Sequence, residues 1–180
     1  IHTNGYVGVM LNGTHTDGWV IGSELYNNIH SSTFRAGFWV EATAKGHSYG
    51  NFYFNNGGGI YCQTNGTQLT AIHNEIAYSL DNNYPDGIEI VNCNGAVNDI
   101  RILGNYFYDN DRYSVFVLNS KATVRYNSFE DTSYRGLAYT GLFSYGSQVK
   151  VEANKIDRHV LGIWVDSDAG SEIRNNLLTN

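Results

Sequence analysis

Residues Ile100 to Phe107 read IRILGNYF: two apolar residues separated by one position, an Asn three positions on, and a further apolar residue two after that. The first half alternates with a period of two, which is a strand with one buried face, and the Gly-Asn pair that follows is a bend. The same unit recurs as LTAIHNEI from Leu69 to Ile76, ATVRYNSF from Ala122 to Phe129 and VKVEANKI from Val149 to Ile156. Weaker copies centre on Ser23, Asn51 and Asn176, so the anchors are Ser23, Asn51, Asn74, Asn105, Asn127, Asn154 and Asn176. They lie 28, 23, 31, 22, 27 and 22 residues apart.

Between anchors lies a second unit in which a small residue precedes alternating apolar positions. It appears as Gly37 to Val40, Gly59 to Cys62, Gly87 to Ile90, Ser114 to Val117, Gly141 to Ser144 and Gly162 to Val165. A repeat of 22–31 residues built from short strands, with no helical period, buries its apolar face only by stacking on its neighbours. The expected fold is therefore all-β, a single-stranded parallel β-helix of about seven rungs forming one domain over residues 1–180. Because the sequence starts and stops in repeat units without clear caps, it reads as the core of a longer chain. Ile102, Val124, Val151 and Ile173 then stack inward at about 4.8 Å per rung, and the Asn amides form a ladder that satisfies buried polar groups at the bend.

Composition agrees. Of 180 residues 42% are apolar, enough for a core, while 22 Asn and 20 Gly against one Met and one Pro leave few helix formers. Eleven Lys and Arg against 17 Asp and Glu give a net charge of −6, with no basic excess to attract phosphate backbones, so no nucleic-acid partner is expected. No apolar run reaches a membrane-spanning length, so no membrane partner is expected. Cys62 and Cys93 are too few and too widely spaced for a disulfide framework or a CxxC site and read as two buried thiols. The six histidines show no zinc spacing, and His73, beside the anchor Asn74, is expected to point inward.

Strand alternation also sorts the outward residues into stripes. On the Gly-initiated strand they are Trp39, Tyr61, Glu89, Phe116, Phe143 and Trp164, preceded by Met10: an exposed aromatic row interrupted by one acid, fit for stacking on sugar rings or for a contact between subunits in a trimer or filament. On the Asn-bearing strand, His47, Arg101 and Lys150 form one row and Arg125, Glu152 and Arg174 the next; these read as a solvated charged face, with clamping of an acidic polysaccharide as the functional alternative. At the turns, Arg35, Asp81, Asp86, Asp109, Asp111, Arg112, Asp131, Arg135, Asp157, Arg158 and His159 accumulate on successive rungs. Carboxylates on adjacent or alternate rungs would sit about 5 or 10 Å apart, bracketing the separations used by retaining and inverting glycosidases. The same oxygens could hold a Ca²⁺ ion.

Units such as LGNYF, HNEIA, DGIEI and LGIWV resemble the parallel β-helix repeats of the pectate-lyase-like superfamily, which includes pectate lyases, polygalacturonases and phage tailspikes. The resemblance implies a right-handed helix, an extracellular or virion-surface setting and an extended polysaccharide or glycan as partner. YPDGIEI, residues 84 to 90, is similar to the acidic Asn-Thr-Asp-Gly-Ile-Asp strand of polygalacturonases and places Asp86 at that family's catalytic aspartate. On the next rung Arg112 and Tyr113 replace the family's paired aspartates, and Tyr139-Thr140-Gly141 replaces its Gly-His-Gly. The resulting expectation is a polysaccharide hydrolase or lyase with Asp86, Asp109 and Asp111 as acid and base and Trp39, Tyr61, Glu89, Arg112 and Trp164 binding substrate. The alternative is a non-catalytic β-helical segment of a fibre, tailspike or surface protein.

Overall fold

The computed structural model describes residues 1–28, 36–79, 86–95, 99–132 and 140–179. The turn residues Arg35, Asp81 and Arg135, with Tyr84, Pro85 and Tyr139, lie outside this set. The described residues form three parallel sheets of seven strands each, and every rung gives one strand to each sheet. The first sheet holds Val7–Asn12, Ala36–Glu41, Ile60–Gln63, Ile88–Val91, Tyr113–Leu118, Thr140–Tyr145 and Leu161–Asp166. The second runs from Asp17–Ile21 to Glu172–Arg174 and carries the strands ahead of the anchors. The third, from Glu24–Tyr26 to Leu177–Thr179, starts just after each anchor with strands of three residues.

Register makes the core. In the first sheet Phe38, Ile60, Ile88, Val115 and Leu142 pair in a continuous inward column, beside Val40, Cys62, Ile90, Val117 and Ser144. The second contributes the expected Ile102, Val124, Val151 and Ile173 column. The third contributes Leu25, Tyr53, Ile76, Phe107, Phe129 and Ile156, with the Phe107 and Phe129 rings stacked at 4.9 Å. These columns are buried apart from Ile173, which lies on the last rung and is half exposed. Each buried aliphatic or aromatic side chain contributes about 1.5–3 kcal/mol of transfer free energy.

The anchor asparagines join the second sheet to the third. The side-chain oxygen of Asn105 accepts the backbone N–H of Asn74 at 2.9 Å and its side-chain amide at 3.0 Å. The Asn105 amide in turn donates to the Ala71 carbonyl and to Asn127. The pattern repeats through Asn51, Asn74, Asn127, Asn154 and Asn176, so that each side-chain oxygen accepts from the anchor one rung before it. The residue before every anchor is left-handed: Gly22, Gly50, His73, Gly104, Tyr126, Ala153 and Asn175 all have φ between 54° and 64°. That conformation turns the chain and directs the His73 side chain into solvent, contrary to the inward placement expected for it.

A second ladder closes the other end of the third sheet. Asn28 and Asn4 donate along the stack to Asn56 and Asn28, and Asn110 accepts the N–H of Ser79. Here too the preceding residues Asn27, Asn55, Tyr78 and Asp109 are left-handed. This corner falls on Asn, Ser and Thr in turn, so it has no single-residue signature in the sequence.

Candidate functional site

The outer face of the first sheet carries the row read from alternation. Met10, Trp39, Tyr61, Glu89, Phe116, Phe143 and Trp164 pair successively in register. The row is not uniformly exposed as expected. Trp39, Tyr61 and Glu89 are only 4%, 6% and 6% exposed, whereas Trp164 is 44% exposed.

The buried half is built as a core. Trp39 meets Tyr61 edge-on at 4.9 Å and packs with Ala36, Val7 and Val91. Its indole N–H donates to Glu41, which also accepts the Gln63 amide, and the Tyr61 hydroxyl donates to Gln63. The polar ends of both rings are thus satisfied, as buried Trp and Tyr require. The open half is a run of rings: Phe116 to Phe143 at 5.5 Å, Phe143 to Trp164 at 4.6 Å, and Tyr113 at 5.3 Å from Phe116 and 5.1 Å from Phe143.

Where the halves meet, the chain places its charged groups. Asp86 lies at the corner leading into Ile88–Val91 and is 1% exposed. Its carboxylate accepts two hydrogen bonds from the Arg112 guanidinium, at 3.0 and 2.6 Å, and a third from the Tyr113 N–H. Bidentate pairing of this kind is the strongest geometry available to an Arg and a carboxylate. Arg112 also lies over the Tyr113 and Phe116 rings, at 4.7 and 5.4 Å from their centroids. Gly87 beside Asp86 is required by close approach, because a Cβ there would stand 2.5 Å from the Ser114 carbonyl and 2.9 Å from the Phe107 ring.

Burial pushes the Asp86 carboxyl above its ordinary range, against the hydrogen bonds and charge of Arg112 and the Tyr113 N–H. Glu89, three residues further on, is pushed up to about 8, first by burial and then by the Asp86 charge, with Arg112 opposing. Tyr61 is likewise raised by burial and by the Glu89 charge. A carboxyl at about 8 is protonated at neutral pH and able to donate.

Asp86, Glu89 and Arg112 thus converge, while the Asp109 carboxylate takes another partner. Asp109 sits in the left-handed corner of the second ladder, where its carboxylate accepts the backbone N–H and hydroxyl of Thr132 at 2.6 and 2.5 Å. Asp111 is half buried, and its N–H donates to the Ser79 carbonyl. Asp86 pairs with Arg112, which the next rung brings past it together with Tyr113, and the Asp109 oxygens go to Thr132. His159, near Asp109, Asp131 and Asp157, is held below its usual value by burial, against the Asp157 carbonyl that its Nδ1 meets at 2.9 Å.

The two cationic rows of the second sheet are also in place. His47 aligns with Trp19, Arg101 with Lys150 through Thr123, and Arg125 with Glu152 and Arg174. Arg125 and Glu152 form an ion pair at 2.9 Å, and Arg101, Leu103, Thr123, Arg125 and Tyr126 line a shallow groove of about 210 Å³. Among the described residues no group of three or more His, Cys, Asp or Glu side chains is arranged to hold a metal ion.

One surface was not read from the sequence. The third sheet carries a chain of outward rings from Phe52 through Phe54, Tyr78 and Tyr108 to Tyr106, with successive centroids 5.2–5.6 Å apart. Its signal was present in YF-flanked triplets such as Phe52-Tyr53-Phe54 and Tyr106-Phe107-Tyr108, where two outward rings bracket an inward one.

The sequence profile for a right-handed β-helix region matches residues 1–144. The chain belongs to the right-handed β-helix family. Neither a search of curated proteins nor one of solved structures finds a match. Handedness and repeat class are therefore shown, and the three-sheet helix provides long outer faces on which successive rungs repeat a side-chain position at a fixed rise.

Proposed function

We propose that this right-handed β-helix binds an extended polysaccharide along the outer face of its first sheet and cleaves it, with Glu89 as the proton donor. Phe116, Phe143 and Trp164, flanked by Tyr113, supply apolar faces for successive sugar rings. Arg112, fixed by Asp86, presents a cation at the edge of this platform for hydroxyl or carboxylate groups of the chain. The observation that carries the reading is the placement of Glu89, buried and in register with Phe116 at the end of the ring row, where burial pushes its carboxyl up to about 8. A protonated acid there transfers its proton to the departing glycosidic oxygen as that bond breaks, while water adds to the anomeric carbon and gives up a proton to solvent. Asp86 acts as the residue that positions Arg112. The expected setting is extracellular or on a virion surface, where polymeric glycans are met.

Product formation from a panel of neutral and acidic polysaccharides tests this, comparing wild type with Glu89→Gln. Cleavage that falls at least 100-fold in the variant while glycan binding persists supports the reading; reducing ends alone indicate hydrolysis and unsaturated ends elimination. Folded wild-type protein that leaves every polymer intact overturns it.

The burial of Trp39 and Tyr61 favours a second reading, a non-catalytic assembly segment in which the row is covered and loops or open rings bind glycan. Absence of cleavage together with a trimer or filament in solution selects that reading.

A further inference from the structure

The two cysteines, 31 residues apart, meet inside the helix. Cys62 stands in the inward column of the first sheet on the third rung, opposite Ile90, and Cys93 turns the next corner on the fourth. Their sulfurs are 3.4 Å apart, both side chains are buried, and both belong to the central core cluster. Cys93 is held in place by its backbone N–H on the Ser120 hydroxyl at 2.8 Å, which fixes the corner from which its side chain turns inward.

We propose that Cys62 and Cys93 are a disulfide site that staples the third rung to the fourth. A disulfide needs its sulfurs at about 2.05 Å, so the two have to approach by about 1.3 Å as the bond closes. The oxidant is a small disulfide such as oxidised glutathione. One cysteine thiolate attacks it, forming a mixed disulfide and releasing one reduced glutathione; the other then attacks the protein-bound sulfur and releases the second. Two thiol protons and two electrons leave the protein, one S–S bond forms and one breaks.

Burial pushes the Cys62 thiol up, so the closed helix resists exchange in either direction. The bond accordingly forms while the rungs are still assembling and is then shielded from reductant. It spans the longest interval of the repeat, Asn74 to Asn105, in part, and restrains that stretch in the unfolded chain.

The test is refolding of the full chain with and without oxidised glutathione, followed by alkylation in denaturant and mass analysis. After oxidative refolding the site predicts no alkylated cysteine, a mass lower by two hydrogens, a peptide linking Cys62 to Cys93, and an apparent Tm higher by on the order of 5–10 °C. Cys93→Ala should keep the fold and lose the oxidant-dependent rise in Tm. Two alkylated cysteines in oxidatively refolded protein with native β-sheet circular dichroism overturn the proposal. So does an oxidised, cross-linked chain that lacks that signal.

Discussion

The row on the first sheet contains two regions with the same strand direction and register but opposite environments. Trp39, Tyr61 and Glu89 are buried, with the polar ends of Trp39 and Tyr61 satisfied, while Phe116, Phe143 and Trp164 form a partly open run of rings. Alternation dictates which way a side chain leaves the sheet and says nothing about what lies over it. The lesson is that one outward row serves as packing on early rungs and as surface on late ones, with the titratable cluster at the junction.

Replacing one ring in each half separates them most sharply. Trp39→Ala empties a buried site and should destabilise by about 3–5 kcal/mol, whereas Trp164→Ala should cost under about 1 kcal/mol and instead weaken glycan binding. Chemical denaturation and a glycan-binding titration on both variants measure the two effects; equal stability losses would erase the distinction.

The junction itself predicts a pH dependence. Folded Glu89 keeps its proton up to about 8, while the unfolded chain releases it near 4.5. The folded state therefore binds more protons between these values, and stability should be fully present below about 4.5 and fall as pH rises to about 8. The loss is on the order of 5 kcal/mol, and Glu89→Gln should flatten it in urea titrations across that window.

The Asn ladder underlies both halves alike. Asn105→Ala strands the Asn74 N–H and the Ala71 carbonyl, and Asn154→Ala strands the Asn127 N–H and the Val124 carbonyl. Each should cost about 2–3 kcal/mol by denaturant midpoint. A much smaller loss at Asn154 would show that the late rungs tolerate what the early ones do not. The smallest effect runs the other way: Ala153→Gly relieves a left-handed non-glycine residue and should stabilise by about 1 kcal/mol.

Much of the fold was legible because its signals are local and repeated. IRILGNYF shows strand, bend and strand within eight residues, and anchors such as Asn74 and Asn127 sit at the bend where the amides pair. The second ladder was hidden because Asn110 and Ser79 fill the same corner by different chemistry. The outward direction of Trp39 and Glu89 followed from period two, but their burial depends on coverage, which periodicity does not carry. Asp109 looked catalytic as one of several turn carboxylates, yet its oxygens serve Thr132. The motif around Asp86 marks the corner at which Asp86 sits, but its partner comes from the next rung as Arg112. The approach of Cys62 to Cys93 depends on how a 31-residue interval closes, which spacing alone does not give.

The most direct test of the account is a carbon-13 NMR titration of the Glu89 side-chain carboxyl in the folded protein. The expected midpoint is about 8, leaving the group protonated at neutral pH beside the open rings. A midpoint near the ordinary 4.5 would contradict it, leaving a charged carboxylate with no proton to donate.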